Sequence, residues 1–217
     1  MAYDLEEQEQ LAELKAFWNK YGNLLTWVLI IVLGSYAAYN FWTSHQRSQA
    51  TDASVLYEEL QKSLIDKDNT KVQRIAADVE SKFGATAYGP MAALAAAKGA
   101  FDANDLKTAK TQLQWVVEHG NDEYKSIAKL RLAGVLLDEK AYDEGLKLLA
   151  TDFVPQFAGS VADRKGDILV AQNKLAEART AYQAAIAAMD SKNPGRKLVE
   201  LKLESIGGAI ATPKAAA

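Results

Sequence analysis

The stretch AAAKGAFDANDLKTAKTQL, residues 95–113, is echoed by LAGVLLDEKAYDEGLKLL at 132–149 and by KGDILVAQNKLAEARTAY at 165–182. Each copy places a small, a small and a large residue at spacings of twelve and four. These are Ala97, Ala109 and Leu113, then Ala133, Gly145 and Leu149, then Gly166, Ala178 and Tyr182. Successive copies are displaced by 36 and then 33 residues. Inside each copy a short polar turn (102–105, 138–140, 172–174) precedes a large apolar residue, Leu106, Tyr142 or Leu175. A helix–turn–helix unit repeating near 34 residues is the signature of a tetratricopeptide-type solenoid.

The spacing has a physical reason. Two antiparallel helices joined by a tight turn approach closely only where small side chains meet at the crossing. The bulky residue four places on lies on the same face and fills the space beside it. One such hairpin cannot bury its apolar face alone, so neighbours stack.

Outward from the three copies, helix remains the favoured state. Alanine is abundant, β-branched residues are sparse, and the four prolines stand at apparent loops, near a helix start or in the tail (Pro155, Pro194, Pro90, Pro213). Residues 48–83 read as a divergent first pair. One helix runs to Ile65, a turn falls at 66–69, and a second helix runs from Thr70 to Phe83 with Gly84 as its stop. Gly120-Asn121 reads as a stop and a start, with Asn121 as N-cap. TDFVPQFAG, 151–159, interrupts the period as a connection. Pro194-Gly195 is expected to end the last repeat and Arg196 to Ile206 to form a capping helix with Leu198, Leu201, Leu203 and Ile206 as its apolar residues. GGAIATPKAAA, 207–217, reads as a frayed tail.

Toward the N-terminus lies LLTWVLIIVLGSYAAYNFW, Leu24 to Trp42, bounded by Lys20 and Arg47 and free of charge. As a helix it spans roughly 28 Å at about 1.5 Å per residue, near the thickness of a bilayer core. A buried soluble helix of this length would carry a polar face. From Leu24 to Leu33 the only polar side chain is Thr26, which can bond its own backbone. A cleaved signal peptide would start short and basic, but here the leader is long and acidic, and the apolar run continues past Ser35-Tyr36-Ala37. Phe17, Trp18 and Tyr21 before the run, and Tyr36, Tyr39, Phe41 and Trp42 at its far end, read as interfacial anchors. The stretch is therefore read as a transmembrane helix. Asp4 to Lys20 reads as an amphipathic arm with Leu11, Leu14 and Trp18 on one face. Lys15 and Lys20 before the helix outnumber Arg47 after it, which puts the N-terminus in the cytoplasm.

The expected fold class is all-α: an arm (1–21), a transmembrane helix (22–44), a tetratricopeptide-like α-solenoid with its cap (45–206), and the tail (207–217). Residues 43–217 carry 23 basic and 23 acidic side chains, so this part has no net pull on nucleic acid. Cysteine is absent, which rules out disulfides and thiolate chemistry. His45 and His119 lie in separate units. Acid pairs such as Asp138-Glu139 and Asp143-Glu144 are sequence neighbours and diverge around a helix. There is no phosphate loop, nucleophile elbow or HExxH motif. No enzyme and no cofactor are expected. First-helix residues line the concave side of such a superhelix, which nominates Lys98, Asp138, Asp163 and Asp167 for polar contact with a peptide. Gly34, Ala37 and Ala38 are the small residues where a partner helix could approach in the bilayer.

The layout resembles the ancillary-subunit family of the bacterial Sec translocon, the YfgM type. It rests on LAELKAFWNKYG, on the apolar helix running straight into YNFWTSHQRSQATDAS, on the Ala-rich repeats and on the ending KLVELKLESI. The resemblance implies a single-pass bacterial inner-membrane protein with a periplasmic helical domain. It also implies partnership with the translocon channel and with a membrane-anchored, peptidyl-prolyl-isomerase-like periplasmic chaperone, in support of unfolded secretory proteins as they emerge. It brings no catalytic residues. A different reading of the same residues is a tetratricopeptide interaction module for envelope assembly or stress regulation, acting through its cytosolic arm.

Overall fold

The computed structural model describes residues 3–209. Among them are nine α-helices and no strand. The helices are α1 (Tyr3–Ile65), α2 (Asn69–Phe83), α3 (Tyr88–Asp102), α4 (Leu106–His119), α5 (Asp122–Asp138), α6 (Tyr142–Leu149), α7 (Ala158–Ala171), α8 (Leu175–Ala188) and α9 (Pro194–Ser205). The chain divides into two units, residues 1–49 and 50–217.

The first unit is the leading part of α1. Helix α1 is the one helix among the described residues that is long and apolar enough to cross a membrane, and its apolar window is unburied. Thr26 Oγ1 donates to Gly22 O at 2.8 Å, so the polar group inside the apolar run is satisfied within its own helix. The indole of Trp18 lies over Gly22, where an added Cβ would meet three ring atoms at 3.2 Å. Phe17 and Tyr21 are tilted against each other at 5.1 Å between centroids, and Lys20 Nζ stands 5.2 Å from the Tyr21 ring. Of the aromatics expected before the apolar run, Phe17 and Tyr21 pair with each other and Trp18 covers Gly22.

The second unit is built of stacked hairpins. The end of α1 pairs with α2 through Leu60, Val72 and Ile75, and α3–α4, α5–α6 and α7–α8 follow in turn. First helices also touch each other, α3 to α5 and α5 to α7, forming one wall. All nine residues of the small–small–large triples are buried. The packing at the crossings is tight: a Cβ on Gly145 would stand 2.9 Å from Ile168 Cδ1, and one on Gly166 would stand 2.3 Å from the Tyr182 ring.

Four turns among the described residues share one geometry. Lys67, Asn104, Lys140 and Asn173 adopt φ of 57°, 59°, 61° and 61°. In each turn this residue's N–H bonds the carbonyl three back, and the next N–H reaches five back, as in Asn104 to Phe101 at 2.9 Å and Asp105 to Ala100 at 2.8 Å. These are Schellman stops, which satisfy the last carbonyls of each first helix. Counting from them puts Leu60, Val72 and Ala76 of the first pair where the other pairs carry their triples. All three are buried, with the sizes reversed to large, medium and small. That reversal is why 48–83 reads as divergent. Asp68, Asp105 and Asn121 then cap α2, α4 and α5 through Lys71, Thr108 and Tyr124 N–H.

Two expectations change. Pro194 does not end a repeat; α8 stops at Ala188, and Pro194 opens α9 behind the N-cap Asn193, where its missing N–H costs nothing. The cap is also not packed by all its leucines. Val199 and Leu203 are buried, while Leu198 and Leu201 are 57% and 51% exposed, because a terminal helix has a neighbour on one side only. The 151–159 connection contains a 3-10 turn at Pro155–Phe157 and is tied back to α5. Val154 N–H donates to Ser126 Oγ at 3.2 Å, and Lys129 Nζ donates to Asp152 O at 2.9 Å. Gly207 (φ 75°) and Gly208 close α9 with the same type of stop. Residues 210–217 of the expected tail lie outside the described residues.

Candidate functional site

The wall of first helices carries a cleft of about 430 Å³. Ala97 and Phe101 from α3, Leu113 from α4 and Val135 from α5 supply its apolar lining. Phe101, in the last turn of α3, is 42% exposed. The polar rim is Lys98 and Asp102 from α3, Arg131 and Asp138 from α5, and Arg164 from α7. Lys98 is ion-paired with Asp102 one turn on. Arg131 Nη1 donates to Leu94 O at 3.3 Å. Arg164 Nη1 stands 3.5 Å from Asp167 Oδ2.

The four wall residues nominated from the sequence separate into two places. Lys98 and Asp138 line the cleft together. Asp163 and Asp167 stand farther along α7 and meet α9. Lys202 Nζ lies 2.8 Å from a carboxylate oxygen of each. Tyr182 Oη also donates to Asp167 at 2.9 Å. Burial pushes the Asp163 carboxyl up and the bond from Lys202 offsets this in part, while the neighbouring Asp167 charge adds to the rise. Burial pulls Lys202 down, yet its bonds to Asp163 and Asp167 outweigh that and hold it above the ordinary lysine range. Burial, and then Asp167, push the Tyr182 hydroxyl up. The acids here already have partners within the chain. In the first unit, a Cβ on Gly34 would meet nothing within 4 Å, and Ala37 and Ala38 are exposed on the next turn.

Sequence reasoning missed Arg131, Arg164, Phe101 and Gly134. A signal was present for two of them. Arg131 and Arg164 are 33 residues apart, the same displacement as the turn residues Lys140 and Asn173, so they are equivalent positions of successive repeats. Asp102 and Asp138 are likewise equivalent, 36 apart like Asn104 and Lys140.

A second electrostatic feature lies between α2 and α4. Glu80 Oε1 is buried without a hydrogen-bond partner, and burial raises its carboxyl to about 7, with the nearby His119 acting in the opposite direction. The His119 ring stacks on Trp115 at 4.5 Å, and its Nδ1 lies 2.9 Å from Trp115 O. Among the described residues no group of three or more acidic or histidine side chains could hold a metal.

The family model for a tetratricopeptide repeat-like domain matches residues 15–208, the apolar stretch included. A protein of Neisseria gonorrhoeae named "Ancillary SecYEG translocon subunit" is 31% identical over 95% of this chain and all of its own length. The chain belongs to the ancillary SecYEG translocon subunit family. Relatives of the same name from Escherichia coli (30% identical, 83% of this chain and 87% of the relative) and Haemophilus influenzae (29%, 85% and 91%) align over most of both lengths. No solved structure matches the chain. This family of translocon subunits is not a known enzyme family. The matched residues include the repeat unit whose wall carries the cleft in this chain.

Proposed function

We propose that the protein is a membrane-anchored scaffold of the Sec translocon and assists secretory chains as they emerge. In this reading the Leu24–Trp42 helix spans the bacterial inner membrane, residues 1–21 are cytoplasmic, and the repeat domain is periplasmic. The helix meets the translocon channel through Gly34, Ala37 and Ala38. The repeat domain meets emerging chains and a membrane-anchored, peptidyl-prolyl-isomerase-like chaperone. The observation that carries the reading is the joining, in one chain of this family, of an unburied apolar helix to a repeat wall with an open, mixed-charge cleft. Its role is binding, with no catalysis.

Two measurements test it. The chain has no cysteine, so single cysteines placed in the arm and in α9 report topology directly. The arm should label only from the cytoplasm and α9 only from the periplasm. Photo-crosslinkers at Ala37 and at Lys98 should capture the channel and secretory chains respectively; capture of neither overturns the reading. The exposed arm residues Leu11, Leu14 and Trp18 favour one competing role, a regulator acting through the cytosolic arm. Deleting residues 2–20 separates the two, because only the regulator loses its phenotype.

A further inference from the structure

The sixth residue before each left-handed turn residue points to a difference between the repeats. It is Gln61, Lys98, Gly134 and Asp167 in successive pairs. Three carry long or charged side chains, and the α5 position carries none. Over that bare backbone lies the guanidinium of Arg164. A Cβ on Gly134 would stand 3.6, 3.7 and 3.8 Å from its Cζ, Nη1 and Nη2. Three nearly equal distances mean that the planar group faces Gly134, so its N–H donors point sideways along the wall. Arg131, the equivalent residue one repeat earlier, lines the same cleft. Each guanidinium is held by one contact, Arg164 by Asp167 and Arg131 by Leu94 O. A guanidinium has five donors in a rigid fork suited to a carboxylate, and one already held loses little further freedom on binding.

We propose that Gly134 opens a carboxylate subsite, where Arg131 and Arg164 take an acidic side chain of an extended polypeptide while its apolar neighbour lies against Phe101. The occupant follows from charge and surface together. Asp102 engages Lys98 and Asp167 engages one edge of Arg164, so the donors left for a carboxylate are those of Arg131, held by a backbone carbonyl, and the remaining edge of Arg164. The apolar lining of Ala97, Phe101, Leu113 and Val135 has no use for a free small anion. The balanced charge of residues 43–217 gives no purchase to nucleic acid. The inference rests on the reading that the repeat domain meets emerging chains, and it names which segments of those chains are held.

The test uses the full chain in nanodiscs and three short fluorescent peptides with the same apolar residues and Glu, Gln or Lys at the centre. The Glu peptide should bind at least about ten-fold tighter than the Gln peptide, and the Lys peptide weakest. Arg131→Gln and Arg164→Gln should each bring the Glu-to-Gln preference close to unity. Gly134→Leu, which fills the space in front of Arg164, should abolish binding of the Glu peptide. Circular dichroism and a thermal melt of the Gly134→Leu variant show whether it keeps the parent's helical fold. Equal affinity for the Glu and Gln peptides overturns the subsite, as does a folded Gly134→Leu variant that binds like the parent. Channel crosslinking from Ala37 is run in parallel. If it persists while the peptide preference is absent, the subsite alone falls; if the parent chain gives neither, the translocon reading falls with it.

Discussion

A methyl group added to Gly166 and one added to Gly134 meet different surroundings on the same wall. At Gly166 it would stand 2.3 Å from the Tyr182 ring, which is fixed by its hydroxyl bond to Asp167. At Gly134 the nearest atom is 3.6 Å away at the end of an arginine. Helix propensity favours alanine at both by about 1 kcal/mol, and overpacking costs about 1–3 kcal/mol. Gly166→Ala should therefore cost about 1 kcal/mol net and lower the urea midpoint, while Gly134→Ala should add up to about 1 kcal/mol and raise it. The small residue at 166 was legible as a crossing position from its triple. Gly134 was not, because nothing local tells a glycine that packs from a glycine that leaves space. The turn residues allow a further test. Lys67 and Lys140 hold left-handed backbone where Asn104 and Asn173 serve the other turns. A lysine there costs about 1 kcal/mol relative to glycine. Lys140→Gly should raise the midpoint temperature by a few degrees, read by circular dichroism.

At the scale of elements, α9 is joined to α7 by an ammonium shared between two acids. Removing Lys202 leaves Asp163 and Asp167 half-buried beside each other, with Arg164 ion-paired to the second and acting more weakly on the first. Lys202→Met should cost about 2 kcal/mol, less than a fully buried pair because all three groups keep some solvent. Adding Asp163→Asn should recover part of that loss, and a double-mutant cycle in urea measures the coupling. The α2–α4 packing carries a different dependence. The Glu80 carboxyl is raised from 4.5 to about 7, so the folded state prefers it protonated. Its contribution is then full below about pH 4.5 and is lost as pH rises through about 7. Glu80→Gln should leave stability at pH 5 little changed, raise it at pH 8, and flatten the profile between. An unchanged slope in thermal melts across that range would count against the assignment. The caps at Asp68, Asp105 and Asn121 sit in local signals that a reader of the sequence can find. The Glu80–His119 neighbourhood joins residues nearly forty apart and has no such signal.

At the scale of the whole molecule, a solenoid transmits stability from neighbour to neighbour. Ending the chain after Asn193 would bare the Tyr182, Ala185 and Ile186 cluster that Val199 and Leu203 cover. Amide exchange should then speed up in α7 and α8 while protection in α3 and α4 persists; uniform loss across all helices would show a single cooperative block instead. The all-helical class, the repeat and its turns, and the uncharged span from Leu24 to Trp42 were determined by the sequence itself. Each depends on residues within about one hairpin: a small side chain at a crossing, a polar turn, or an unbroken apolar run. The separation of the four nominated wall residues was decided only by tertiary structure. Lys98 and Asp138 line an open cleft, whereas Asp163 and Asp167 are engaged by Lys202, 39 and 35 residues away. The setting of Arg131 and Arg164 in one cleft, with Arg164 over Gly134, was decided the same way. Periodicity says which residues share a face of one helix. Which face stays open depends on how α3, α5, α7 and α9 stack, and that is settled by side chains far apart in the chain.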